Sequence, residues 1–354
     1  MDGMRVAVVG AGYIGRVHVR VLSRIAHEDP GLVDEIYVSD IDPSRARRAA
    51  RLYNAKPVGP PRELPRGIDF AVVAVPTSAH RVVVEELVSK GVTGLLVEKP
   101  LASSPADSAV IAGLHERGEA WIASGHVERF NPAAAGLISW IARGSLGEVL
   151  ASSARRIGPF APRAGGVDVI LDLGVHEVDM AMAVRGGAPR AVRGYTLAGV
   201  ASELNDYAIV VLSFEDSYST MELSRITPYK QRTLTVTGTK ASAQLDYISQ
   251  ETIVYTAEME ARLRIAREEP IYLEDLATLR AYARYQPPPV DAYQGHVAVE
   301  ICSAAIASAA RGAEEALTPA HPEWLEAALE GYRRYRNSLA AGGVEALLGG
   351  AGNG

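Results

Sequence analysis

Apolar residues in the first 125 positions follow two rhythms. Short continuous runs, such as FAVVAV and GLLVE, alternate with longer segments whose apolar residues recur on one helical face. The runs predict strands at 5–9, 35–39, 69–75, 93–97 and 120–124, and the periodic segments predict helices at 13–26, 43–53, 78–90 and 105–117. Strands that are apolar on both faces belong in a parallel sheet covered by helices on both sides, so this half predicts an α/β Rossmann fold, a doubly wound parallel sheet. Asn131 can cap a further helix with Pro132 in its first position, ending near Arg143-Gly144. After Gly147 the rhythm changes to strand-like stretches at 148–157, 191–199, 206–214, 218–225, 232–238, 241–247 and 252–256, separated by polar turns such as Glu215-Asp216. With few helices between them, these predict hairpins and an antiparallel sheet in an α+β domain. One helix interrupts it, from about Val167 to Arg185, and others are expected at 291–311 and 323–340.

The first predicted strand runs directly into Gly10, Gly12 and Gly15. G-x-G-x-x-G between a strand and a helix is the context in which the motif carries meaning. Gly10 permits the tight turn, Gly12 lets the backbone approach a pyrophosphate, and Gly15 lets the helix, which opens with Tyr13 and Ile14, pack against the strand. Asp40, at the end of the second strand, is placed to accept hydrogen bonds from the adenosine ribose and to repel a 2′-phosphate, which predicts NAD as cofactor. The alternatives for Asp40 are a strand-end turn residue or the N-cap of the helix from Pro43. Arg45, Arg47 and Arg48 follow closely, which keeps NADP open. The expected division is a dinucleotide-binding domain at 1–125 and a substrate and oligomerisation domain at 126–320, whose helix 291–311 packs back on the first. A C-terminal helix with a frayed Gly-rich tail follows at 321–354.

A length of 354 residues suits two domains, and 48% apolar content supplies a good core. Net charge is −6 with no basic block, which argues against nucleic acid as a partner. The longest apolar runs are strand-sized, too short to span a membrane. The chain begins on its first strand without the order of a signal peptide. Cys302 is the sole cysteine, so no internal disulfide and no Cys-based zinc site can form, and a soluble cytoplasmic protein is expected. Only five of the 36 basic residues are lysine, at 56, 90, 99, 230 and 240, so a lysine at a strand end stands out.

Ligands of doubly wound sheets bind outside the carboxyl ends of the strands. Three loops fall there: Val75 to His80 after the third strand, with Pro76 and Thr77; Glu98-Lys99-Pro100 after the fourth; and Gly125 to Pro132 after the fifth, with Arg129 and Asn131. These are candidates for holding the nicotinamide ribose and a substrate. Lys99 could form a surface ion pair. Equally, its ammonium could hydrogen-bond a substrate hydroxyl and stabilise a developing alkoxide, and Pro100, a candidate for a cis bond, rigidifies the turn. In the predicted helix, Asp168, Asp172, His176 and Asp179 are spaced to share one face among mainly apolar neighbours. Such a stripe suits a cleft, with His176 as base and Asp172 orienting it; the alternative is a solvated stripe or a satisfied core histidine. No set of residues accompanies Asp172 and His176 to make a metal site. His18, His80 and His126 read as wall or cap residues near the same edge. Arg155, Arg156 and Arg163 flank Gly158-Pro159-Phe160 and could hold an anionic substrate group, or stand in solvent at a strand edge.

GAGYIG, Asp40, AVPTSAH, EKP and DLGVHEVD occur here in the order found in the glucose–fructose oxidoreductase/inositol dehydrogenase (Gfo/Idh/MocA) family, which the chain resembles over roughly residues 4–340. The resemblance implies that Lys99, Asp172 and His176 are the catalytic group and that the cofactor side is formed by the glycine turn, Asp40, Pro76, Thr77, His80, Glu98 and Lys99. Glu98 would contact the nicotinamide ribose. It also implies an open, mostly antiparallel C-terminal sheet whose outer face makes a homodimer or tetramer. GHVERFNP, RRIGPF-x-PR, VILDLGVHEVD and LTVTGTKASAQLDYISQE are similar to members that oxidise the C3 hydroxyl of UDP-N-acetylglucosamine with NAD. By that similarity Arg155, Arg156 or Arg163 would pair the diphosphate, with Arg129, Asn131 and Asp179 near the sugar. Oxidation of a free polyol such as inositol is the neighbouring alternative. A non-enzymatic NAD-sensing regulator is a further one, against which the presence of Lys99 and His176 speaks.

Overall fold

The computed structural model describes residues 3–160 and 166–348. It divides into two compact units: Met1–Val127 with Glu269–His296, and Glu128–Glu268 with Val297–Gly354. The first unit is therefore discontinuous in sequence, taking in residues 269–296 as well as the N-terminal stretch that ends at Val127.

The first unit opens with β1 (Met4–Val9), α1 (Tyr13–Glu28), β2 (Val33–Ser39), α2 (Pro43–Leu52) and β3 (Lys56–Val58). It continues through β4 (Phe70–Val73), α3 (His80–Ser89), β5 (Gly94–Glu98), α4 (Pro105–Glu116) and β6 (Trp121–Gly125). The sheet order is β3-β2-β1-β4-β5-β6, with every pairing parallel. The order reverses beside β1, which creates the crevice where dinucleotides bind in such sheets. Local chemistry sets the helix starts. Asp42 caps α2 by accepting the Ser44 N–H at 2.8 Å, and Ser104 caps α4 by accepting from Asp107 at 3.2 Å, each followed by proline in the first position. The strand interiors, including Val6 to Val9 and Leu95 to Val97, are buried. β3 was not foreseen, because KPV carries no strand signature and pairs only along the edge of β2.

The second unit contains α5 (Pro132–Ala142), β7 (Val149–Ile157), a single π turn at Ile170–Gly174 leading into α6 (Val175–Arg185), and β8 (Ala191–Ala198). Then come β9 (Asn205–Ser213), β10 (Tyr218–Ser224), β11 (Gln231–Gly238), β12 (Ser242–Asp246), β13 (Glu251–Tyr255) and β14 (Glu260–Arg262). The chain next passes through α7 (Pro270–Ala283) of the first unit, α8 (Ala292–Arg311), whose first residues to His296 belong to the first unit, and β15 (Glu315–Ala316) and α9 (Pro322–Gly342) of the second. The nine-stranded sheet runs β14-β13-β12-β11-β7-β10-β9-β8-β15, antiparallel except where β7 meets β10. Its inner face carries Ala154, Ala208, Val210, Leu212, Met221, Leu223, Leu234 and Val236, all buried. This is the expected open, mostly antiparallel sheet. Among the described residues no helix is long and apolar enough to cross a membrane.

α7 had no place in the expected element order. It is buried nearly all round, including Glu274, Asp275 and Thr278, so no polar stripe marks its period. It covers the first sheet, where the Tyr282 ring packs on Phe70 and Trp121 with centroids 5.4 and 5.5 Å apart.

The glycine turn is fixed by close approach. Gly10 has φ +101°, and a Cβ there would lie 2.5 Å from the Ala74 carbonyl oxygen. A Cβ on Gly15 would lie 1.7 Å from the Gly10 oxygen, whereas one on Gly12 meets nothing within 4 Å. Gly15→Ala is therefore expected to destabilise the protein by about 1–3 kcal/mol. Gly12→Ala should cost less than about 1 kcal/mol while still weakening NAD binding. Urea denaturation and NAD titration of the two variants separate these effects; equal stability losses would overturn this account of the turn.

Candidate functional site

In the first unit the carboxyl ends of β1, β2, β4 and β5 gather the predicted cofactor residues. α1 starts at the glycine turn with neither an acidic residue in its first turn nor a side chain capping it, leaving its N–H groups suited to a phosphate. Together with the open space beside Gly12, this fits a dinucleotide pyrophosphate. Tyr13 is 60% exposed beside the turn, and Ile14 is partly exposed. Asp40 is buried and braces the turn, accepting the Ala11 N–H at 2.7 Å and the Asp42 N–H at 2.8 Å. The helix cap at that corner is Asp42, not Asp40. Pro76 is exposed and Thr77 partly so at the end of β4. His80 corrects the expectation of a cofactor contact. It is buried, with its ring nitrogens 3.0 Å from the Val75 carbonyl and 3.3 Å from that of Leu101. It ties two loops together, and burial holds its pKa below the ordinary histidine value.

Glu98 and Lys99 close β5, followed by a cis bond to Pro100. Glu98 accepts the Lys99 N–H at 3.0 Å through one carboxylate oxygen and meets His18 Nε2 at 3.0 Å through the other. On its far side, His18 Nδ1 lies 2.9 and 3.0 Å from the two oxygens of Asp275 on α7. All three groups are buried. An imidazole flanked by two carboxylates can donate from both nitrogens only as the cation. Burial opposes that charge, but Asp275 and Glu98 outweigh it and raise the His18 pKa well above its ordinary value. Burial likewise works against ionised Glu98, yet His18 holds its pKa down. His18 looked like a wall residue from sequence. Its partner Asp275 went unseen because it lies 257 positions away on the unforeseen helix.

In the second unit the predicted stripe of four polar residues is broken. A π turn at Ile170–Gly174 interrupts the helix between Asp168 and His176, and the two outer members of the stripe are bound within the protein. Asp168 accepts the Ile170 N–H at 2.8 Å and the Asn205 side chain at 2.6 Å. Asp179 corrects the expectation of a substrate contact: it takes two hydrogen bonds from Arg129, at 2.7 and 2.8 Å, and one from Tyr332 at 2.8 Å. Arg129 is corrected with it, being fully buried and stacked on Tyr332 and Tyr335 at 4.2 and 4.6 Å from their ring centres. Asn131 is a third correction. It is buried and caps α5 through Ala133 at 3.1 Å while donating to the Tyr247 carbonyl at 3.0 Å. Asp172 remains partly exposed on the π turn, and His176 is 7% exposed on α6.

Strand alternation sorts the arginines. Arg155 corrects the expectation of an anion contact beside α6. It points to the outer face of the sheet, bound to Glu222 at 2.6 Å and Gln231 at 3.1 Å. Arg156, one residue on, points inward and is buried between Glu177 of α6 at 2.5 Å and Glu128 at 2.9 Å. Arg163 lies outside the described residues. Two cations missed by the sequence reading lie nearby: Arg232 in β11 is the register partner of Arg156, and the exposed Lys230 just precedes that strand. Their signal was available: a rare lysine two positions from an arginine at the start of a strand.

These arrangements define a dinucleotide-binding oxidoreductase. Residues 4–126 match the Gfo/Idh/MocA oxidoreductase family, NAD-binding Rossmann fold, and residues 136–244 match the Gfo/Idh/MocA C-terminal domain. The chain belongs to this family of NAD-binding oxidoreductases. A UDP-N-acetylglucosamine 3-dehydrogenase of Acidithiobacillus ferrooxidans is 25% identical over 255 residues, covering 72% of this chain and 78% of that protein. An inositol 2-dehydrogenase of Acidothermus cellulolyticus is 29% identical over 219 residues, covering 59% of this chain and 62% of that one, so less than two thirds of that relative is spanned. A levoglucosan dehydrogenase solved with NADH and L-sorbose shares the fold with a TM-score of 0.80 at 18% identity, over 90% of this chain and 100% of that one.

The buried His18 cation links stability to pH. In an unfolded chain His18 titrates near 6.5, and in the folded protein well above it. Its contribution is therefore fully present below about pH 6.5 and is lost as pH rises through the folded pKa. Asp275→Asn removes the foremost stabilising charge, so the decline of stability with rising pH should be shallower in the variant. Urea denaturation of both proteins across that window measures the slopes, and identical slopes would show that His18 is not the titrating group.

Proposed function

We propose that this protein is an NAD-dependent dehydrogenase that oxidises a sugar hydroxyl to a ketone, with the C3 hydroxyl of a UDP-N-acetylhexosamine as its substrate. The observation that carries the substrate is the similarity to the Acidithiobacillus UDP-N-acetylglucosamine 3-dehydrogenase, which extends over 78% of that protein. The residues support the chemistry. The glycine turn with Tyr13 and Ile14 holds the pyrophosphate, Asp40 the adenosine ribose, and Pro76, Thr77 and Glu98 the nicotinamide ribose. NAD, when bound, supplies the hydride acceptor. His176 takes the hydroxyl proton, Asp172 orients the imidazole, and the Lys99 ammonium stabilises the alkoxide oxygen. Asp40, a carboxylate where a 2′-phosphate would be repelled, favours NAD over NADP.

The inositol dehydrogenase relative supports a second reading, oxidation of a free polyol. Incubation with NAD or NADP and a panel of UDP-sugars and free polyols, followed by the absorbance of the reduced cofactor, separates the two. Lys99→Ala and His176→Ala are each expected to lower turnover by about 10²–10⁴-fold, far more than they weaken NAD binding. Near-normal turnover in both would overturn the assignment.

We further propose that the chain self-associates through the outer face of its large sheet. Tyr195, Leu197, Ile209 and Tyr218 lie on that face and are 54%, 58%, 41% and 60% exposed. Apolar side chains clustered on an uncovered face suit a second copy of the chain. Sedimentation of the wild type should show a dimer or tetramer, and Ile209→Asp with Tyr218→Asp should shift it to monomer; a wild type that is monomeric at micromolar concentration ends this proposal.

A further inference from the structure

We infer that Lys230 and Arg232 form an anion subsite on the inner face of the second unit's sheet, and that it takes the diphosphate of a nucleoside-diphosphate sugar. The inference rests on the sugar-nucleotide reading above and names the residues that would recognise the nucleotide half. Arg232 faces Arg156 across the β11–β7 pair, and Lys230, two positions earlier and just before β11, lies beside Gly158, the residue that follows β7. Arg156 in turn reaches Glu177 of α6.

The arginines buried in this unit have close carboxylate partners: Arg129 with Asp179 at 2.7 Å, Arg156 with Glu177 at 2.5 Å, and Arg225 with Asp206 at 2.8 Å. Arg232 does not. Its side chain is 36% exposed, and its ion pair is a 3.9 Å contact to the Glu128 oxygen that Arg156 already holds at 2.9 Å. Lys230 is exposed and has no ion pair among the described residues. Its stem lies beside the Gly158 backbone, where a Cβ would stand 3.8 Å from Lys230 Cγ.

Neighbouring cations disfavour both charges. Arg232 is the foremost cause of a lowered Lys230 pKa, and burial followed by Arg156 lowers that of Arg232. A diphosphate brings two negative charges and a fan of acceptor oxygens, which would relieve that repulsion and satisfy the guanidinium fork. Asp172 is among the charges acting on Arg232, which places Arg232 within electrostatic range of the π turn that carries the proposed orienting carboxylate. A diphosphate held there would be attached to the sugar being oxidised.

The test is calorimetric titration of the full-length protein, saturated with NAD, using UDP, uridine and inorganic pyrophosphate as probes. UDP should bind the wild type well above uridine. Arg232→Gln and Lys230→Gln should each weaken UDP by about ten-fold or more, leave uridine and NAD unchanged, and flatten the salt dependence of UDP binding. Lys230 is exposed, so its variant remains informative if Arg232→Gln folds poorly. UDP binding that is equal in the wild type and both variants overturns the subsite and leaves the sugar-nucleotide reading standing. Pyrophosphate binding that both variants lose, beside a wild type indifferent to UDP, supports the anion subsite and overturns the sugar-nucleotide ligand.

Discussion

One buried imidazole between two buried carboxylates organises the cofactor unit. His18 sits in the second turn of the helix that begins at the glycine motif, Glu98 ends the strand that delivers Lys99, and Asp275 comes from α7, 257 positions after His18. None of these charges could be buried alone, since desolvating an unpaired ion costs several kcal/mol. Each is tolerated because the others are present, so the return of the chain as α7 completes the electrostatics of the first unit as well as its packing. The same contacts hold Glu98 at the sheet edge, where a ribose hydroxyl would need an ionised acceptor.

The second unit applies the same rule with different partners. Arg129 with Asp179, Arg156 with Glu177 and Glu128, and Arg225 with Asp206 are buried charges neutralised in place. Such groups fix the packing of α6 and of the strand ends, with their charges matched inside the protein. What remains for a ligand are the charges that were not neutralised in this way. The distinction between Arg156 and Arg232, neighbours across one strand pair, is the distance to a carboxylate: 2.5 Å against 3.9 Å.

The π turn is the other local feature with functional weight. A regular helix from Val167 to Arg185 would have displayed four polar residues on one face. With the turn at Ile170–Gly174, Asp168 caps the helix start and bonds to Asn205; Asp179, about one turn past His176 on α6, pairs with Arg129, and Asp172 and His176 are the pair proposed for proton transfer. π turns often mark functional positions because they cost hydrogen-bond regularity and persist where they re-aim side chains.

The primary sequence determined the class of protein. Continuous apolar runs, glycine spacing at Gly10, Gly12 and Gly15, and proline-led helix starts are local signals, each set by the sterics and hydrogen bonding of a few adjacent residues, and they fixed the doubly wound sheet and its cofactor edge. Local signals also outlined the antiparallel strands of the second unit. Pairing was decided elsewhere. Whether an arginine meets a ligand or a glutamate depends on which strand face it occupies and what lies opposite, and Arg155 and Arg156 went to opposite faces for want of one residue of register. Likewise, α7 has no amphipathic stripe because it is covered on nearly all sides, so its existence and the Asp275–His18 contact became visible only in three dimensions. Charges act through space, and chain order records that space only over the length of a single turn or strand.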